Sequence, residues 1–121
     1  MTASLAACSQ KSATDDKYAG LDGAIQDWHK SIEATPACLS KADGKGCQSF
    51  EVGCKGERPI AATDQAKGIS ARLVVAMSWE GWDDKRSEYR PASGFAEFNK
   101  VDGAWIRSDT GPVNLSTCAS A

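Results

Sequence analysis

Four cysteines in the body of the chain are the residues best suited to covalent or metal chemistry. They are Cys38, Cys47, Cys54 and Cys118, and the gaps between them hold 8, 6 and 63 residues. Zinc sites usually contain closely spaced pairs such as C-x-x-C, which these gaps do not provide. Disulfides are therefore favoured if the chain is exported. Of the three possible pairings, we expect Cys38 with Cys47 and Cys54 with Cys118; the alternative joins Cys38 to Cys54 and Cys47 to Cys118.

The single histidine, His29, could act as a general base. Glu33 lies four residues later and falls on the same face if this region is helical. No Ser or Cys nucleophile can be placed beside His29 from the sequence, because the thiols are assigned to disulfides. The favoured interpretation is a solvated helix face. No catalytic residue, no metal site and no enzymatic activity are therefore expected.

The stretch SWEGWDDKR, residues 78–86, is the strongest candidate for surface recognition. Trp82 is expected to be exposed at the tip of a hairpin, and an exposed Trp beside charges is typical of a binding hot spot. Such a Trp could also stack on a sugar ring of peptidoglycan. The predicted binding residues are Trp82, Glu80, Asp83, Asp84 and Arg86. The alternative is a core Trp79 followed by a solvated turn.

The N-terminal stretch SLAAC contains the fifth cysteine, Cys8. Leu5, Ala6, Ala7 and Cys8 resemble the lipobox of bacterial lipoproteins. In that family a signal peptidase cuts before the cysteine, and small residues near the cut suit the enzyme. The resemblance implies a diacylglycerol anchor on the sulfur of Cys8. The residue that follows, Ser9, is not aspartate, which in this family implies the outer membrane, facing the periplasm.

The beginning of the chain departs from this pattern. Only seven residues precede Cys8, and none is Lys or Arg, whereas a signal peptide has a basic start and an apolar stretch of about 7–15 residues. We therefore expect the true start to lie upstream; the alternative is an ordinary N-terminus of a cytosolic protein. On the favoured interpretation, residues 1–7 are a signal-peptide remnant, residues 8–13 a flexible tether, and residues 14–121 a single α+β domain.

Apolar residues at spacings of three and four predict one amphipathic helix over residues 14–34. Its apolar stripe consists of Tyr18, Leu21, Ile25, Trp28 and Ile32. Ser12 or Thr14 could cap the helix start. Thr35-Pro36 ends the helix, because the residue before a proline avoids helical backbone angles.

Four strands are predicted after this helix. In the first, Phe50, Val52 and Cys54 alternate with polar or small residues. The second covers residues 68–81, and its apolar face consists of Ile69, Ala71, Leu73, Val75, Met77 and Trp79. Before it, Thr63 is expected to cap one helical turn, and Gly68 is expected just past the end of that turn. The last two strands flank Asp102-Gly103, a favoured two-residue hairpin turn.

A helix followed by antiparallel strands predicts an α+β fold, with one N-terminal helix packed on a four-stranded antiparallel sheet. This order is similar to the cystatin-like arrangement, at the level of fold alone. The chain has 121 residues with a net charge of −2. It carries no basic stripe for nucleic acid, and no apolar stretch approaches the ~18 residues of a membrane-spanning helix.

The favoured function is a small envelope lipoprotein that acts as a non-enzymatic binding, adaptor or inhibitor-type module. Its expected partners are the membrane, through the lipid anchor, and another envelope protein or peptidoglycan. The alternative is a small-ligand carrier, with an apolar cavity between helix and sheet under Trp28 and Trp79. An enzyme ranks third, because the sequence supplies no nucleophile, metal set or phosphate loop. No cofactor is expected.

Overall fold

The structure, a computed structural model, describes residues 16–39 and 45–120. The lipidation residue Cys8, the remnant 1–7, the tether 8–13 and the caps Ser12 and Thr14 lie outside the described residues. The elements are a 3-10 turn at Asp16–Tyr18, α1 Leu21–Glu33, α2 Pro36–Leu39, β1 Cys47–Glu57, α3 Ala62–Ala66, β2 Ile69–Asp83, β3 Glu88–Val101 and β4 Ala104–Asp109.

The strands form one open antiparallel sheet in the order β1-β2-β3-β4, and α1 packs against one of its faces. The predicted α+β class is confirmed. We call the sheet face under α1 the helix face and the other the open face. In the described ranges, no helix is long and apolar enough to cross a membrane.

Helix α1 begins at Leu21, later than the sequence pattern predicts. Gly20 precedes it with φ 84°, a left-handed conformation that breaks the helical run and leaves Tyr18 in the 3-10 turn. Trp105 holds this break in place, because its indole Nε1 donates a hydrogen bond to the carbonyl of Ala19 at 2.8 Å. The helix ends at Glu33, before Pro36, as predicted.

The main core lies between α1 and the helix face. Its buried members are Leu21, Ile25, Trp28, Leu73, Val75, Met77, Ala96 and Phe98. Trp28 packs edge-on against Phe98, with ring centroids 5.9 Å apart. Trp79 packs against this core but is only half-buried. The predicted helix stripe and the predicted apolar face of β2 therefore meet each other.

Strand β1 changes face at Gly53. Val52 pairs with Met77 and Cys54 pairs with Ala76, so Gly53 is an extra residue in the register. Phe50 and Val52 pack on the helix-face core, whereas Cys54 packs on the open face. The prediction that Cys54 shares a face with Phe50 and Val52 is therefore wrong, because simple alternation assumes that no bulge intervenes.

The C-terminal segment covers part of the open face. Val113 and Cys118 are buried there against Val74 and Ala76. Cys118 forms a disulfide with Cys54, and the Arg58 guanidinium donates a hydrogen bond to the Cys118 carbonyl. This segment gives β2 a second buried face in its middle.

The two disulfides are the predicted pairs. Cys38 bonds to Cys47 and joins α2 to the start of β1, and Cys54 bonds to Cys118. The alternative pairing is not formed. These bonds fix both the loop after the helices and the C-terminal segment to β1.

Two turns can be compared with their predictions. Asp102 and Gly103 have φ of 50° and 87°, which confirms the two-residue hairpin between β3 and β4. The expected cap at Thr63 is wrong, since the N-cap is Ala61 and Thr63 lies inside α3. The Asp64 carboxylate accepts the Ala61 N–H at 3.1 Å and so does the capping.

Candidate functional site

Trp82 lies in β2 and pairs with Tyr89 of β3 on the open face. The sequence suggested that the strand stops at Gly81 and that Trp82 is mostly exposed; instead β2 continues to Asp83 and Trp82 is half-buried. The ring of Tyr89 and the ammonium of Lys45 cover it, at 5.1 Å and 4.1 Å from the Trp82 ring centroid.

Asp83 holds the turn between β2 and β3. Its carboxylate accepts the backbone N–H groups of Lys85 and Arg86 at 3.0 and 3.3 Å. The Arg86 Nε lies 3.7 Å from the same carboxylate. Asp83 therefore has a structural role, whereas Asp84 is exposed at the tip.

Strand β3 is longer than its neighbour β4. β4 pairs only with residues 96–101 of β3, so residues 88–95 have a strand on the β2 side alone within the described chain. We call residues 89–94 the free edge. The two-residue turn makes Val101 and Ala104 a hydrogen-bonded pair, and backbone groups alternate sides along a strand. The residues that direct their backbone groups away from β2 are therefore Phe95, Ser93, Pro91 and Tyr89.

Pro91 occupies one of these outward positions. Proline has no N–H, so in the inward position it would remove a hydrogen bond to β2. In the outward position it leaves the β2–β3 ladder intact, which is the usual place for proline in a sheet. The free edge thus offers two N–H donors, from Tyr89 and Ser93, and three carbonyl acceptors, because Phe95 lies opposite Thr110, the residue that follows β4.

A groove of about 480 Å³ lies on the open-face side of the free edge. Its lining residues are Ser49, Glu51, Ser78, Trp79, Glu80, Pro91, Ala92, Ser93 and Leu115. Glu51 and Glu80 give it acidic character. Glu80 accepts a hydrogen bond from the Gln48 amide at 3.0 Å, which positions its carboxylate. We call this the open-face groove.

A second groove, of about 430 Å³, lies on the helix-face side. Its lining residues are Ile32, Thr35, Ala37, Cys38, Cys47, Trp79, Gly81, Trp82, Asp83, Arg86, Arg90, Pro91 and Ala92. Arg86 and Arg90 have side-chain exposures of 60% and 46%, so both guanidinium groups are accessible to a partner. We call this the helix-end groove. Pro91 and Ala92 line both grooves, which places the free edge between them.

The five predicted binding residues do not form one cluster. Asp83 and Arg86 line the helix-end groove, and Trp82 borders it although it pairs with Tyr89 on the open face. Glu80 lines the open-face groove, and Asp84 lines neither of these two. Sequence reasoning missed Tyr89, Arg90 and Pro91, because a proline was not taken to lie inside a strand. The compatibility of proline with edge strands was the signal that could have found them.

His29 is partly withdrawn from solvent. Its ring lies 3.8 Å from the Phe50 ring, centroid to centroid, and Phe50 stacks in turn on Trp79 at 5.4 Å. Its Nε2 lies 3.5 Å from a Glu33 carboxylate oxygen. The described residues that line the adjacent crevice of about 130 Å³ include neither a hydroxyl nor a thiol. The His29 ring packs on Phe50 at the edge of the core, so it lies less exposed than the solvated helix face that the sequence favoured.

A charged network lies at the opposite end of the open face. The Arg72 guanidinium Nε donates to Glu97 at 3.1 Å, and Arg72 Nη1 lies 3.6 Å from Asp64. The hydrogen bond to Glu97, and the negative charge of that group, raise the pKa of Arg72. Asn99 also donates to Glu97 at 3.2 Å. This network ties α3, β2 and β3 together, far from the two grooves.

Within residues 16–39 and 45–120, no group of three or more His, Cys, Asp or Glu side chains is arranged to hold a metal ion. Comparison with protein-family models, curated proteins and solved structures returned no match for this chain.

Proposed function

We propose that this chain is a non-enzymatic recognition module of the bacterial envelope, which binds a partner protein at the β2–β3 end of its sheet. The observation that carries the proposal is the free edge of β3 with a solvent-open groove on each side. Exposed strand edges are usually shortened, covered or charged. This edge carries Arg90 and Pro91, but no strand covers it in the described chain and a groove borders each of its sides, which suits it to a partner.

The residue types at this end support recognition of a protein. Trp82, Tyr89, Arg86 and Arg90 lie around the free edge, and Trp, Tyr and Arg are the residues enriched in binding hot spots. The nearby Cys38–Cys47 disulfide ties α2 to β1 and makes the wall of the helix-end groove rigid. A preformed surface loses little conformational entropy when it binds.

The envelope location rests on the lipobox-like Leu5-Ala6-Ala7-Cys8 together with the disulfides. Disulfides persist in oxidising compartments such as the periplasm. We propose that Cys8 carries the lipid and that residues 8–13 tether the domain to the outer membrane. Peptidoglycan remains the alternative partner at this surface.

Site-specific crosslinking in cells of the native host tests the proposed surface. A photoreactive amino acid at Arg90 should give a discrete adduct with one envelope protein. The same amino acid at Gln65, exposed in α3 at the other end of the sheet, should not. Adducts of equal yield from both positions, or none from Arg90, would remove the support for this surface.

The helix-end groove also keeps the carrier alternative open. Its volume of about 430 Å³ lies within the range of small-molecule sites, and Trp79 lines it. The described cavities at the helix–sheet interface hold only about 270 and 130 Å³. A carrier would thus bind at the groove, and an apolar fluorescent probe such as anilinonaphthalene sulfonate would report it through energy transfer from tryptophan.

A further inference from the structure

We propose that the partner supplies an extended segment that adds as a fifth, antiparallel strand along the free edge of β3, with an apolar, a basic and an acidic residue in consecutive positions. This inference rests on the proposed function and specifies its chemistry. It makes three side-chain assignments, each from the register of β2 and β3.

The backbone of the free edge sets the first requirement. Tyr89 and Ser93 present outward N–H and C=O groups, and Pro91 presents a carbonyl alone. A strand in this position would satisfy these five backbone groups, which no strand of the described chain pairs. The added strand would also continue the line of β4 along β3. β4 ends at Asp109 and is followed by Thr110, Gly111 and Pro112.

The helix face sets the second requirement. A residue opposite Ala92 would lie over a small side chain and reach Trp79, which is the partner of Ala92 in β2. An apolar residue suits that position. A residue opposite Arg90 would be its direct cross-strand neighbour, and opposite charges stabilise such pairs. Arg90 contacts Glu88 at 3.1 Å but stays accessible, so an acidic partner residue suits it.

The open face sets the third requirement. A residue opposite Pro91 would point into the open-face groove, where Glu80 is the partner of Pro91 in β2. The pyrrolidine ring of Pro91 is small, so a long side chain from the added strand has room to extend over it. A lysine at this position can place its ammonium group toward Glu80. In an antiparallel strand the required order is therefore apolar, basic, acidic.

Pro91 favours a foreign segment over a second copy of this chain. In a symmetric pairing of two free edges, both strands would contribute a Pro91 without an N–H, so two backbone hydrogen bonds would be missing. A foreign strand faces only one such gap.

The test uses a capped synthetic octapeptide with Thr-Leu-Lys-Glu at its centre. Calorimetry should detect binding, and hydrogen exchange followed by NMR should show new protection at the amides of Tyr89 and Ser93. A peptide with Leu and Lys exchanged should bind about five- to tenfold more weakly, because no register then satisfies Ala92, Pro91 and Arg90 together. Equal affinity of the two peptides would overturn the assignments.

Variants at two positions distinguish strand addition from non-specific binding of the peptide. Ser93→Pro removes one outward donor and should weaken binding about five- to tenfold, while Ser93→Ala keeps the donor and should bind like the wild type. Arg90→Glu should lose binding and regain it with a peptide whose Glu is replaced by Lys. Circular dichroism verifies that both chains remain folded; if Ser93→Pro does not fold, the Arg90 exchange decides alone.

Sedimentation of the protein without peptide tests the other occupant. A concentration-dependent dimer that Ser93→Pro abolishes would assign the free edge to a second copy and overturn the proposal. Crosslinking from Arg90 with no effect of the peptides or variants would leave a partner at this end and overturn strand addition. Absence of both crosslinking and peptide binding would remove the proposed function as well.

Discussion

Trp82 and Tyr89 face each other across the last residues of the β2–β3 hairpin, with ring centroids 5.1 Å apart and planes at 73°. This edge-to-face contact stabilises the end of the sheet to which we assign recognition. Aromatic pairs of this geometry add to the free energy of unfolding beyond the contribution of their buried area. A double-mutant cycle can therefore measure the strength of this contact.

Alanine substitutions should distinguish Trp79, which packs on the helix-face core, from Trp82, which packs on Tyr89. Trp79→Ala should lower the free energy of unfolding by about 3 kcal/mol, since Trp79 packs on the core. Trp82→Ala should cost only about 1 kcal/mol, most of it the contact with Tyr89. A double-mutant cycle of Trp82 and Tyr89 by urea denaturation checks this coupling. Equal losses for both tryptophans would make Trp82 a structural residue.

The two disulfides should differ in strength. They join residues 9 and 64 positions apart, for which loop-closure entropy gives about 2.5 and about 4 kcal/mol. The double variant Cys54→Ala/Cys118→Ala should therefore be the less stable one, and it should also loosen the segment over Val74 and Ala76. Thermal unfolding and peptide mapping without reductant measure this; a larger loss from Cys38→Ala/Cys47→Ala would contradict it.

Two glycines should respond to alanine with opposite signs. A Cβ at Gly53 would collide with the Leu115 carbonyl oxygen, so Gly53→Ala should destabilise by about 1–3 kcal/mol. Gly23 lies exposed in α1, where an added methyl group would meet only open space, and Gly23→Ala should stabilise by about 1 kcal/mol. Chemical denaturation of both variants compares them. Stabilisation by Gly53→Ala would mean that the C-terminal segment does not lie against this bulge.

The Arg72–Glu97 pair should contribute equally across neutral pH. Glu97 raises the pKa of Arg72, and a raised folded pKa adds stability that is lost only as the pH rises through that high value. A double-mutant cycle should give a coupling of about 1 kcal/mol. From the arginine side, this coupling should not change between about pH 6 and about pH 10. A steep decline within that window would indicate that the network is not held by Arg72.

Lipidation is the most direct test of the proposed envelope location. Expressed in a Gram-negative host from its native gene, with any in-frame codons before Met1 included, the protein should enter the detergent phase and incorporate labelled palmitate. Cys8→Ala should release it to the aqueous phase. If the wild-type protein stays in the aqueous phase and unlabelled, Leu5-Ala6-Ala7-Cys8 resembles a lipobox only by chance.

The sequence pattern predicted those features of the fold that follow from local chemistry. The apolar stripe of α1, the long face of β2 and the Asp102-Gly103 turn are set by periodicity and by residues that accept positive φ. The bulge at Gly53 was missed because it depends on the Leu115 carbonyl, which comes from the other end of the chain. Likewise, the start of α1 depends on a hydrogen bond from Trp105.

The candidate site overlaps the stretch around Trp82 that the sequence singled out, but the strand divides that stretch between two faces. Alternation along β2 places Glu80 on the open face and Asp83 on the helix face. The free edge arises because β3 and β4 have different lengths, and no single segment of sequence encodes that difference. Pro91 could only be interpreted as an edge residue once its neighbour was known to be absent on one side.

The link between Cys54 and Cys118 has a consequence for the order in which the chain matures. Any process that delivers the polypeptide from its N-terminus presents Cys38, Cys47 and Cys54 to an oxidant before Cys118 has emerged. During that interval, Cys54 can form disulfides only with Cys38 or Cys47, and both of these bonds are non-native. A bond from Cys54 to either of them must later be exchanged, because the native partner lies 64 positions away. Early pairing of Cys38 with Cys47 avoids this, because it leaves Cys54 reduced until Cys118 arrives. Pulse-labelled chains trapped with an alkylating agent would show whether Cys38–Cys47 forms first or whether bonds to Cys54 precede it.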